Sequence, residues 1–125
     1  MVTTLCTPIS IGGKQSYNRI VIQPVECNDG DIHGAPTKRT VQRYRKLAEG
    51  GAGLIFVESL SISPESRSRI NQLQLTTESA AGLARIVREM RKVNPQALIL
   101  FQLSHSGRLS DPDFAAPISV YVTEE

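Results

Sequence analysis

Gln102 interrupts the apolar run of ALILFQLSHSGR, residues 97–108, and brings an amide, a donor and an acceptor side by side, to a place that calls for another hydrophobe. An amide buried there without partners costs roughly 1–3 kcal/mol, so something polar is expected beyond that point. Two more apolar runs end in the same manner. RIVIQP leads into Gln23, Pro24, Val25 and Glu26, and GLIFVE, residues 53–58, leads into Glu58 and Ser59. Hydrogen-bonding groups at three such ends, if the ends share one rim, suit a flat polar ligand.

The other reactive side chains are less decisive. His105 reads as a loop or packed histidine, and Arg108 either pairs with Glu58 or Glu65 or meets an anion. Glu58, ending an apolar segment, needs a cation or donors if it is buried, and a structural ion pair is the expectation. Cys27 reads as a small packed residue. No G-x-G-x-x-G follows any apolar run, and the GGK of residues 12–14 lacks the rest of a phosphate loop, so nucleotide binding through those motifs is disfavoured.

Three strands must position these ends. The short β-branched runs have little polar alternation, as in parallel strands covered on both faces. Between the first two, PTKRTVQRYRKLAEGG predicts a helix capped by Thr37, with Val41, Tyr44, Leu47 and Ala48 on one face and Gly50 and Gly51 as its stop. Between the second and third, TTESAAGLARIVREMRKVNP predicts a helix capped by Thr77, with Leu83, Ile86, Val87 and Met90 buried. The Gly-Gly break in PISIGGKQSYNRI predicts a hairpin ahead of the first strand, closing one end of the sheet. Residues 59–76 form a long Ser-, Pro- and Arg-rich connection, read as a functional lid. Strands alternating with helices make an α/β chain, either an open doubly wound sheet or the start of an eight-stranded barrel, and both bind ligands beyond the strand carboxyl ends.

Composition narrows the classes. The 125 residues suit one soluble domain, and 14 basic against 12 acidic residues, dispersed along the chain, leave no footprint for nucleic acid or a membrane surface. Cys6 and Cys27 form neither a metal motif nor a disulfide framework and suggest a reducing cytoplasm. No signal peptide and no apolar run of membrane-spanning length is present in the sequence.

NRIVIQP after PISIGG, then HGAPTKRTVQRYRKLAEGGAGLIFVES, SISPESR and FQLSHSGR resemble, in order and spacing, the start of the old yellow enzyme family of FMN-dependent NAD(P)H oxidoreductases, from about residue 5 to residue 118. The resemblance implies an N-terminal hairpin plus the first three or so β/α units of a TIM-type (β/α)8 barrel, incomplete in this chain. A full barrel needs about 250 residues. Residues 1–125 then form the N-terminal segment of a flavin-binding domain.

The resemblance further implies that the backbone at Pro24, Val25 and Glu26 contacts the isoalloxazine edge, that the backbone of Ser59 faces the flavin, and that the Gln102 amide meets the pyrimidine half of the ring. It implies FMN as cofactor, NADH or NADPH as reductant, and an activated alkene or similar acceptor, with the substrate-polarising pair and phosphate-binding groups on strands absent from this chain. Alone, the chain is expected to be inactive, and to self-associate or take a complementary chain along its open sheet edge. Glu26 stands where the family usually has Thr or Cys, and its carboxylate would disfavour anionic reduced flavin; no covalent flavin link through Cys27 is expected. Two alternatives are a non-catalytic α/β module that binds through its sheet edge, and a small doubly wound domain with helices on both faces.

Overall fold

The computed structural model describes residues 2–115 and 117–118. A helical turn, α1 (Val2–Leu5), precedes a hairpin of β1 (Ile9–Ile11) and β2 (Lys14–Ser16). Gly12 and Gly13, at φ 53° and 75°, make its two-residue turn; left-handed residues match the twist of the flanking strands. Asn18 then ties the hairpin to the amino end of the main sheet. Its Oδ1 accepts the Ile20 and Gly53 N–H groups and its Nδ2 donates to the Gly51 carbonyl.

The main sheet is β3 (Val21–Ile22), β4 (Leu54–Ser61) and β5 (Leu98–Ser104), parallel and in that order. Two crossover helices join them, α2 (Lys38–Glu49) and α3 (Ala80–Val93). Val41, Tyr44 and Ala48 of α2 share one core with Leu83, Ile86 and Met90 of α3 and with Ile55, Val57 and Leu60 of β4. Both helices therefore lie on the same face of the sheet. That is the arrangement of a barrel segment, and it rules against a doubly wound sheet, whose crossovers cover both faces.

Thr37 caps α2 as its sequence predicts: its Oγ1 accepts the Thr40 N–H, and the Thr40 hydroxyl accepts the Thr37 N–H in return. At the other end Gly51 takes φ 76°. The start of α3 differs from expectation. Thr76 and Ser79, not Thr77, form the reciprocal pair, with Ser79 N–H on Thr76 Oγ1 at 3.0 Å and Thr76 N–H on Ser79 Oγ at 2.9 Å. The exposed Thr77 makes no such bond: α3 begins only at Ala80, whose N–H bonds back to the Thr76 carbonyl.

The expectation of three strands covered on both faces holds only for β4. RIVIQP reduces to a two-residue pairing, and β5 is an edge strand whose Leu100, Phe101, Gln102 and Leu103 are all exposed. The apolar run of β5 is written for neighbours on both sides, and only one side is supplied by α3 and β4. Residues 59–76 are also not a lid. Gln72, Leu73 and Gln74 are buried, and the backbone of Leu73 and Leu75 pairs with Ser61 as a short extension of the sheet.

Candidate functional site

The strands β3, β4 and β5 run side by side in one direction, which brings Pro24–Glu26 and Gln102–Ser104 toward the same rim as Glu58–Ser59; β4 does not end at Glu58 as its sequence suggests but runs on to Ser61. The rim is shaped by a β-bulge. Val57 pairs with Phe101 and Leu60 pairs with Leu103, so two residues of β4, Glu58 and Ser59, stand opposite the single residue Gln102. The extra residue breaks the alternation of the strand. Val57 and Leu60 stay in the core beneath the helices and Glu58 turns to the same side, while Ser59 faces the opposite side and bonds through its hydroxyl to Ser104.

Glu58 is fully buried and well supplied with donors. Oε1 accepts from the Arg43 guanidinium and from the Tyr44 hydroxyl, and Oε2 accepts the Cys27 N–H at 3.1 Å. A structural ion pair for Glu58 was the expectation; its cation is Arg43, on α2, while Arg108 makes no salt bridge among the described residues. Arg43 also holds Asp29, and the Thr40 hydroxyl donates to the same carboxylate. Burial acts to raise the Asp29 carboxyl, but the bonds from Arg43 and Thr40 prevail and leave it below the usual carboxylate range. Burial pushes the Tyr44 hydroxyl well above its ordinary value, with the Glu58 charge acting in the same direction. Burial works against the Arg43 cation, yet its bonds to Asp29, Tyr44 and Glu58 raise it further still. The cluster thus ties Asp29, Glu58, Arg43 and Tyr44 into one hydrogen-bonded group.

Arg43, Asp29 and the Ser59–Ser104 pair were not singled out from the sequence. Tyr44 was read only as a core residue of its helix, and an ionisable Glu58 ending an apolar strand was the one available sign that partners had to exist.

Among the described residues the Gln102 side chain has no protein partner, and it is exposed on the edge strand. The premise that it is buried is therefore corrected: with no strand beyond β5 among the described residues it meets solvent. Pro24 and Glu26 are half-buried, Val25 is exposed, and Ser59 is buried. His105 sits in the loop after β5, where its Nδ1 accepts the Gly107 N–H at 3.0 Å. On the helix side of β5 an apolar cleft of about 440 Å³ is lined by Leu60, Leu83, Val87, Phe101 and Leu103.

The model of the NADH:flavin oxidoreductase / NADH oxidase family matches residues 4–120. The chain belongs to that family. An NADPH dehydrogenase of Bacillus pumilus is 32% identical over 130 residues, covering all of this chain and 38% of that protein. An NADH:acrylate oxidoreductase of Vibrio harveyi is 30% identical over 103 residues, 82% of this chain and 10% of the longer protein. The crystal structure of an old yellow enzyme from Pichia superposes with a TM-score of 0.79 at 26% identity, over 88% of this chain and 28% of that one.

The chain thus spans a little over a third of the Bacillus relative and a smaller share of the Vibrio one. Its hairpin, parallel sheet and one-sided helices form part of an old yellow enzyme barrel. The described residues cover 28% of that old yellow enzyme and leave one side of β5 open. That accounts for the exposed apolar residues on the last strand.

Proposed function

We propose that the chain forms the N-terminal segment, residues 1–125, of an FMN-dependent NAD(P)H oxidoreductase barrel and supplies part of the flavin pocket. The observation that carries this reading is the Gln102 amide, exposed at the carboxyl rim opposite the Glu58–Ser59 bulge and without a partner among the described residues. A flavin edge presents N–H and C=O groups that an amide matches in pairs. The backbone of Pro24, Val25 and Glu26, one strand away on the far side of Ser59, would border the ring. These residues fit the group.

When bound, FMN supplies hydride transfer, accepting from NADH or NADPH and delivering to an acceptor such as an activated alkene. The Vibrio relative's name includes acrylate, a compound of that class. The residues of this chain hold and orient the ring. The phosphate grip and the groups that polarise the acceptor belong to later strands, so the chain alone is expected to be inactive. Exposed thiols at Cys6 and Cys27 suit a reducing compartment such as the cytoplasm, and no described helix is long and apolar enough to cross a membrane.

A second reading is a non-catalytic module that self-associates or takes a complementary chain through β5. It is favoured by the exposed Leu100, Phe101 and Leu103 on that edge. Size-exclusion chromatography of the chain with added FMN separates the two. FMN retained only when the barrel is completed supports the first reading. A stable oligomer that stays colourless at high FMN supports the second, and a monomer holding stoichiometric FMN would show that the pocket needs no further strands.

A further inference from the structure

Opening a bulge in a central strand frees a backbone N–H that the ladder no longer uses, and a buried donor of this kind must find an acceptor. In β4 that donor is the Glu58 N–H, and it is taken by the Tyr44 hydroxyl at 2.7 Å. The same hydroxyl donates to Glu58 Oε1 at 3.2 Å, so one phenol on α2 grips both the backbone and the side chain of the bulged residue. Glu58 in turn holds the Cys27 N–H, in the loop that follows Pro24–Glu26. Tyr44 and Glu58 are both almost wholly buried, at 1% and 0% exposure, so no water substitutes for these bonds.

From this geometry we infer that Tyr44 and Glu58 are positioning residues for the flavin grip. Tyr44 pins the bulge, and the bulge turns Ser59 away from the helices toward Ser104 and sets it opposite Gln102. Glu58 carries the same constraint across to the loop after β3. Neither side chain touches the ring: they act through Ser59, Gln102 and Cys27, the residues on either side of the rim. The inference rests on the flavin reading above for what is positioned, and on the hydrogen bonds alone for how.

The test reads amide exchange on the full chain labelled for NMR, and FMN affinity in the completed barrel. Tyr44→Phe keeps the ring in the core and removes only the hydroxyl. It is expected to speed amide exchange at Glu58 and Ser59 by on the order of tenfold, beyond any change elsewhere in the sheet, and to weaken FMN by a similar factor. Glu58→Gln, which keeps one acceptor for the Cys27 N–H but turns an NH2 group toward Arg43 and Tyr44, is expected to show the same selective exchange at residues 58–59 on top of a loss of global stability. Met90→Leu, in the same core but remote from the bulge, serves as the control: it lowers global stability without selective exchange at residues 58–59. If the tyrosine and glutamate variants behave like that control, or leave exchange and FMN affinity unchanged, the inference is overturned. Should Tyr44→Phe not fold, Glu58→Gln decides. Selective exchange together with no FMN binding by the completed wild-type barrel would sink the flavin reading and leave the pinned bulge standing.

Discussion

Arg43 grips Asp29 with two nitrogens, Nε on Oδ2 at 2.8 Å and Nη2 on Oδ1 at 2.9 Å, and extends the second of them to Glu58. One guanidinium thereby joins the loop after β3 to the centre of β4. Paired carboxylates of this kind leave a mark on acid stability. The folded pKa of Asp29 lies below its unfolded value of about 3.9, so its contribution is complete above that value and disappears as pH falls through the folded one. Urea midpoints measured from neutral pH down to about pH 2.5 are expected to drop on the acid side. Asp29→Asn is expected to start lower at neutral pH and to show a shallower acid limb; parallel limbs for the two proteins would remove Asp29 from this account.

Gln102→Ala separates binding from folding. The side chain is exposed and has no partner among the described residues, so its loss is expected to shift stability by no more than about 0.5 kcal/mol. FMN affinity in the completed barrel is expected to fall by roughly tenfold, the cost of two lost hydrogen bonds. Fluorescence titration measures it, and an unchanged dissociation constant would take the amide out of the pocket.

Glu26 places a carboxylate next to the strand end that borders the proposed ring. Negative charge opposes the formation of an anionic reduced flavin, so Glu26→Gln is expected to raise the two-electron potential of bound FMN by about 20–50 mV, or ~1–2 kcal/mol. Spectroelectrochemistry reads the shift directly. A fall in potential would contradict the sign argued here.

Gly53 leaves no space for a methyl group. A Cβ there would lie 2.3 Å from Ser16 Oγ and 2.7 Å from Asn18 Oδ1, both of which are tied into the hairpin contact. Gly53→Ala is expected to cost about 1–3 kcal/mol in chemical denaturation. A variant as stable as the wild type would mean that the hairpin packs less closely on the sheet than described.

Leu103 projects from the outer face of β5 at 57% exposure. Leu103→Lys is therefore expected to leave the thermal midpoint nearly unchanged while reducing association along that edge, as seen by sedimentation velocity. Continued assembly of the lysine variant would direct attention to the β3 side of the sheet instead.

Features set by neighbours in sequence were legible before the fold was known. Gly12-Gly13 specifies its turn by backbone freedom, Thr37 caps through a bond three residues away, and Val41, Tyr44, Leu83, Ile86 and Met90 follow helical spacing into one core. The alternation of strands and helices added the parallel sheet and the end on which to look, and the family motifs added the barrel. What remained hidden depends on distant partners. No local pattern distinguishes Glu58 as the inserted residue of a bulge, because the extra position exists only relative to β5. Nor does composition reveal that Leu73 and Gln74 bury themselves beside Ser61, turning an apparent lid into part of the framework. The exposure of Gln102 was hidden for the opposite reason: its strand is composed for company that this stretch of chain does not itself provide.

The clasp that Asn18 makes on the amino end of the sheet bears on how the molecule ages. Spontaneous deamidation begins when the nitrogen of the following residue attacks the asparagine side-chain carbonyl, and here that nitrogen, on Arg19, is engaged with the Leu5 carbonyl at 2.8 Å. The Asn18 carbonyl oxygen is itself occupied by two backbone donors. Ring closure requires the Arg19 N–H to leave the Leu5 carbonyl and the side chain to turn within the bonds that hold it, so this site should outlast exposed asparagines on storage; were it to convert, the new aspartate would aim an oxygen at the Gly51 carbonyl and force the clasp apart.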